Sequence, residues 1–374
     1  MKRWIPLAIL AACGVLLSVR LWPSCASHDD AFTSAGLLTA NAENLKATAV
    51  TGHLDVPIET GRSVLWCGTF QLVWNEICGL IGEDIHFNRD PPMVAPMNKK
   101  AFAREHIDDA SYVALAGFVR DGIFEKIPRA LKEKFGGMAT PRFLPDRSLT
   151  PRPQDIVGYA YLFKHLEFAT PLERLEEPLD FQGAPVSAFG LGPFKEAQVA
   201  MLDQVNILRY DGPDNFVIEL KCKSASDQLV LAKVRPQATL GETVAAVCRD
   251  VAGATPQKAL PGDLLSVPRL NFDITRTYRE IMGGLLVTHN PAVAKDLVLL
   301  SAMQNIRFEM DEKGVRLRSE STMSFGCSAK GPLEPHHKMI FDKPFLILLR
   351  RTDAPLPYFA LWIGSPELLV GFKK

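Results

Sequence analysis

The chain reads as an α+β protein. Period-2 runs rich in β-branched and aromatic residues outnumber segments with helical spacing, and few strand-helix-strand crossovers are visible. The C-terminal run Met339 to Leu349, MIFDKPFLILL, adds a third observation. Pro344 suits the first residue of a strand, and Phe345 to Leu349 are too uniformly apolar for a half-exposed one, so they read as a buried strand entered through a fixed kink. A chain of 374 residues with 47% hydrophobic and 22% charged content has ample core for one large domain or two. Its 42 basic residues balance 42 acidic ones, which leaves no net field for a polyanion and disfavours nucleic acid as a partner. Lys99-Lys100, Arg350-Arg351 and Lys373-Lys374 read as solvated turns and termini.

The N-terminus carries Lys2 and Arg3, an apolar stretch from Trp4 to Val19, then Ser24-Cys25-Ala26 ahead of His28-Asp29-Asp30. Positive, apolar and small residues in that order make an export signal. At about 16 residues the apolar stretch is short against the roughly 20 that a spanning helix needs, and Arg20 ends it. A cleaved signal within 1–26 is the leading expectation, an uncleaved membrane anchor the second, and lipoprotein processing at Leu10-Ala11-Ala12-Cys13 the third. All three place the chain outside the cytoplasm. Residues 27–62 are weakly patterned and read as an extension or a poorly formed first helix, leaving 63–374 as the main domain.

Ser63 to Ile81 sets Trp66, Phe70, Val73, Trp74, Ile77 and Ile81 at helical spacing with apolar residues between, which predicts a helix buried on most sides. Ser111 to Phe118 is a central strand, followed by a turn at Asp121-Gly122. Ile123 to Phe135 is amphipathic and ends at Gly136-Gly137, with regular helix expected to begin at Pro128. Met138 to Gln154 holds four prolines and reads as a loop. Asp155 to Phe163 alternates Val157, Tyr159, Tyr161 and Phe163 as a strand. Further strands are expected at Gln204 to Tyr210, Asn215 to Leu220, Gln228 to Lys233, Leu264 to Ile274 and Asn305 to Met310. Thr239 and Glu242 stand in capping-box positions for a helix through Cys248.

The segment Asn305 to Phe325 is a hairpin signal. Ile306, Phe308 and Met310 alternate up to Asp311-Glu312-Lys313-Gly314, and Val315, Leu317, Ser319, Ser321, Met323 and Phe325 alternate after it. Two period-2 runs around a polar stretch ending in glycine make 315–325 able to be a strand.

Motifs of catalysis are missing. There is no G-x-S-x-G, H-E-x-x-H, P-loop or dinucleotide fingerprint, so the chain is not expected to be an enzyme and no cofactor or metal is expected. The pair His336-His337 reads as loop solvation, since neighbours in an extended chain face opposite ways. Asp90, Asp108 and Asp109 read as turn and cap residues. Of seven cysteines, Cys13 and Cys25 fall in or beside the signal. The odd five left, Cys67, Cys78, Cys222, Cys248 and Cys327, lack metal-ligand spacing and read as free thiols, the first two placed on one helix beyond disulfide reach.

The signature Phe341, Asp342, Lys343, Pro344 and Phe345 with its apolar run resembles the C-terminal signature of the serpin family. Other segments resemble serpin segments in serpin order: Ser63 to Ile81 the central buried helix, Ser111 to Phe135 a strand and helix of the large sheet, Ile156 to Glu173 the aromatic strand and its exit. Asn215 to Cys248 is similar to the second sheet and its helix, Ser266 to Ile274 to the next strand, and Tyr358 to Gly364 to the last. The resemblance covers most of Ser63 to Leu369. It departs at the helix that crosses the front of the large sheet, for which the proline-rich interval leaves no room, and at the abbreviated Thr288 to Leu300.

The resemblance implies a large mixed sheet with a second sheet packed by helices, a monomer, and an inhibitor of serine or cysteine endopeptidases. In such inhibitors the cleaved loop inserts as an extra strand before the acyl-enzyme is hydrolysed. It implies a reactive-loop hinge at Glu312, Gly314, Val315 and Leu317, and a scissile bond near Ser328-Ala329 or after Lys330. Val315 and Leu317 are bulkier than the small side chains of the family's inhibitors. That favours the alternative, a non-inhibitory binding or structural protein of the cell envelope whose loop is already a strand.

Overall fold

The computed structural model describes residues 35–136, 139, 141, 152–192, 199–317 and 336–373. Its largest sheet has eight strands in the order β15 (Gln257–Lys258), β12 (Val205–Tyr210), β13 (Phe216–Leu220), β14 (Asp227–Lys233), β22 (Phe345–Arg351), β23 (Phe359–Ile363), β3 (Ser63–Cys67) and β2 (Thr48–Thr51). All neighbours are antiparallel except β2 and β3. The run Phe345 to Leu349 lies at its centre with every side chain fully buried, as expected of a strand covered on both faces. Helix α5 (Leu240–Gly253) packs on β12 and β13, opened by the Thr239–Glu242 capping box.

A second, five-stranded sheet runs β1 (Leu38–Asn41), β17 (Leu270–Thr277), β19 (Met303–Asp311), β20 (Gly314–Leu317) and β7 (Lys164–Glu167). It too is mixed, since β1 is parallel to β17. Period-2 alternation sends Phe272, Ile306, Phe308 and Met310 into the shared core, where the Phe308 ring stacks on Phe359 of the larger sheet at 4.7 Å.

Strands β5 (Tyr112–Phe118) and β6 (Ile156–Leu162) pair with each other, and β6 leads into β7 across Phe163. One face of this ladder meets α1 (Thr69–Ile81), so closely that a Cβ on Gly158 would lie 2.6 Å from Val73 Cγ1. The other carries α3 (Ile123–Phe135), whose Phe124, Ile127, Leu131 and Phe135 cluster with Val113 and Val157. A four-stranded sheet, β21 (Lys338–Ile340), β16 (Leu264–Pro268), β11 (Ala188–Leu191) and β8 (Glu173–Arg174), joins the two main sheets at one end. The pairs β9 (Leu179–Phe181) with β10 (Ala184–Val186) and β4 (His86–Phe87) with β18 (Leu286–Val287), and short helices α2 (Val94–Asn98), α4 (Val199–Leu202) and α6 (Pro291–Ala294), complete the described chain.

Several expectations are corrected. Ser63 to Ile81 is a strand and then a helix, because the apolar run SVLWC fits either period and the chain breaks at Gly68. Cys67 and Cys78 therefore sit on different elements, both free and buried. Residues 38–51 supply two strands where a first helix was one expectation. Helix α3 runs through Pro128 from Ile123, its buried face outweighing the lost amide donor. Leu264 to Ile274 is two strands in two sheets, divided at Arg269, and Met339 to Leu349 is likewise divided between β21 and β22. Arg350 is buried in β22, its Nη2 donating to Ala354 O at 2.6 Å. His337 is held by buried Asp263, Nδ1 to Oδ2 2.8 Å, and is no solvated loop residue. Among the described residues β5 and β6 form their own ladder, while β7 alone carries that strand on to the five-stranded sheet.

Candidate functional site

The residues expected to form a hinge lie in a hairpin. Strand β19 ends at Asp311, Glu312 and Lys313 turn, and β20 returns antiparallel through Asp311–Gly314, Met310–Val315 and Glu309–Arg316. On its other side β20 is antiparallel to β7 through Gly314–Glu167, Val315–Leu166, Arg316–His165 and Leu317–Lys164. It is thus a strand between two strands, and Val315 is fully buried against Met310 and Leu166.

Gly314 is required by its surroundings. Its φ is 140°, and an added Cβ would collide with the Leu166 carbonyl oxygen and lie 3.0 Å from Glu167 Cα. The turn is pinned to the exit of β7: Phe168 N donates to Lys313 O at 2.9 Å and Leu172 N to Glu312 O at 2.7 Å. Lys313 N donates to Asp311 Oδ1 at 2.9 Å. Arg269, between β16 and β17, faces both acids, with Nε 3.4 Å from Glu312 Oε2 and Nη2 3.9 Å from Asp311 Oδ2. The first approach lacks hydrogen-bond geometry and acts through charge. All four residues expected at a hinge, Glu312, Gly314, Val315 and Leu317, thus lie in this turn and the strand after it.

The signature residues form a second cluster. Phe341 and Phe345 are fully buried with rings 4.9 Å apart, and Phe341 meets Phe216 at 5.0 Å. The buried Lys233 ammonium collects Asp342 Oδ1 at 2.6 Å, Ile340 O at 2.9 Å and Pro213 O at 2.9 Å. Lys343 pairs with Asp214 at 2.7 Å. That bond and a second from Lys233 hold the Asp214 carboxyl below its ordinary range. The signature is a corner that carries the chain from β21 to β22, and β16 links it to the Glu312 turn by pairing with β21 and continuing into Arg269.

Sequence reading missed a third cluster. Lys164, opposite Leu317 in the register, sends its ammonium to Asp227 at 2.9 Å, both side chains being buried. Asp227 also accepts from Ser224 Oγ at 2.7 Å and Tyr358 Oη at 3.1 Å. Burial first, and Asp227 second, push the Tyr358 phenol well above its ordinary pKa. Lys164, Asp227 and Ser224 line a cleft of about 370 Å³ with Asp108, Ser111 and His165. At Asp108 the burial effect is outweighed by the Ser111 Oγ hydrogen bond and the Lys164 charge, which lower its pKa. The network ties β7 to β14 and to the residue before β23. A period-2 pattern could not reveal it, because its members lie far apart in the chain.

Burial pushes the Cys222 thiol up to about 12, with Asp227 and Glu219 adding to the rise. Among the described residues no group of three or more His, Cys, Asp or Glu side chains could hold a metal ion. The candidate scissile residues Ser328, Ala329 and Lys330, and Cys327, lie outside the described residues.

No protein-family model matches the chain, and no curated protein matches it. Solved structures similar to it include Serpin48, a highly specific serpin of the insect Tenebrio molitor, at 11% identity and TM-score 0.43, covering 82% of this chain and 92% of that one. Thyroxine-binding globulin in complex with thyroxine is similar at 13% identity and TM-score 0.37, covering 66% of this chain and 65% of that one. The serpin from Schistosoma mansoni is similar at 14% identity and TM-score 0.39, with 66% and 65% covered.

Proposed function

We infer that the chain is a serpin-fold protein that works by adding its Gly314-hinged segment as a strand between β19 and β7. The observation that carries this is the pairing of β20 on both sides, antiparallel to both neighbours. In the same register the next positions along the two neighbouring strands are Arg307 and Ile306 on one side and Phe163 and Leu162 on the other. A loop cut beyond Gly314 has a defined track to enter. By family resemblance the reaction class is endopeptidase inhibition, with a serine or cysteine protease as partner, outside the cytoplasm.

One observation favours the second reading, a non-inhibitory envelope protein: the first residues of the hinge are already a strand. An inhibitor stores free energy by keeping that stretch out until the loop is cut. Limited proteolysis of the full chain followed by a thermal melt separates the two. Loop insertion raises the midpoint by more than about 10 °C, which at roughly 2–4 °C per kcal/mol corresponds to several kcal/mol. It also leaves a covalent protease complex on a denaturing gel. An unchanged midpoint without a complex would assign the chain to the second reading.

A further inference from the structure

An apolar face lies at the end of the five-stranded sheet away from the hinge. Strand β18 runs beside the segment 297–300: Leu286 N donates to Leu297 O at 2.8 Å, Leu299 N donates to Gly284 O at 3.1 Å, and Leu285 is bridged antiparallel to Val298. Alternation turns Leu286, Leu297 and Leu299 inward onto a core that includes Phe70, Trp74 and Tyr278. It turns Leu285, Val287, Val298 and Leu300 outward, where they are 40%, 46%, 40% and 57% exposed. Met303, opposite Thr277 in the ladder, is 40% exposed. The other large exposed apolar side chains among the described residues, Leu37, Val199 and Leu260, are scattered along the chain.

Together the five present on the order of 400 Å² of apolar surface, in the range where the largest patch of a monomer is often functional. A bilayer needs only a few apolar side chains when a tether makes the contact intramolecular. The sequence carries a candidate tether, Lys2 and Arg3 ahead of the apolar Trp4 to Val19, followed by residues 20–34. Fully extended, that linker reaches up to about 50 Å. The described chain begins at the hinge end of β17, where Asn271 Nδ2 donates to Ala35 O at 3.0 Å, and β19 separates that end from Met303 by about 30 Å. The linker can span that length.

We propose that the ribbon face of Leu285, Val287, Val298 and Leu300, with Met303, seats on the lipid bilayer that holds the N-terminal apolar segment as an anchor. The hinge end, on the far side of the five-stranded sheet, then points away from the lipid. The test is hydrogen exchange on the full chain in neutral phosphatidylcholine vesicles, beside a Leu285→Ser, Leu300→Ser variant whose changes fall on exposed positions. Amides of 283–303 should exchange about 10-fold more slowly in the parent than in the variant, with 314–317 alike in both. Equal exchange at 283–303 would overturn the proposal. So would a chain that fails to float with vesicles, or protection that follows chain density instead of lipid.

Discussion

At Gly314 the backbone of β7 leaves no space for a side chain, and the φ of 140° disfavours one independently. Gly314→Val should expel β20 and cost roughly 1–3 kcal/mol, the scale of one strained backbone position. Hydrogen exchange at 314–317 would then approach that of an exposed loop. Lys164 offers a different test, because its ammonium and the Asp227 carboxylate are buried together. Lys164→Met leaves Asp227 without its charge partner, and urea denaturation should register a loss of about 3–5 kcal/mol. A paired Lys164→Met, Asp227→Leu replacement should recover much of that loss, because no lone charge then stays buried.

Among the elements, those written in local pattern were legible in the sequence. The capping box at Thr239 is present with Glu242 N donating to Thr239 Oγ1 at 3.2 Å and Thr239 N donating to Glu242 Oε2 at 3.1 Å. Thr239→Ala should therefore cost about 1 kcal/mol in an equilibrium melt. The hairpin at Glu312-Lys313, marked by two period-2 runs, and the buried strand Phe345 to Leu349, marked by Pro344 at its start, were equally plain. Ser63 to Cys67 was not, since five apolar residues followed by a helix carry no period of their own. The strand Lys164 to Glu167 was hidden because its buried lysine breaks the apolar alternation, and only Asp227, distant in sequence, makes that burial tolerable. The hairpin between β19 and β20 could be read from the sequence, while the network steadying β7 required the fold.

For the whole molecule, acid is the informative variable. Asp214 is held below its ordinary pKa by Lys343 and Lys233, and Glu83 by the Thr288 hydroxyl and His289, each against a smaller opposing effect of burial. A carboxyl with a depressed folded pKa stabilises the fold above its unfolded value, near 4, and that contribution fades as pH falls through the folded value. The calorimetric midpoint should thus decline below about pH 4, and more shallowly in Asp214→Asn. No helix among the described residues is long and apolar enough to cross a membrane. Strand β1 bears on how the molecule may be trimmed. Leu38 to Asn41 lie parallel along Phe272 to Thr275, so the outermost rung of that sheet is the chain's own leading segment. A version starting after Asn41 would bare a row of amides and carbonyls, and copies of it should stack margin to margin where the parent stays dispersed.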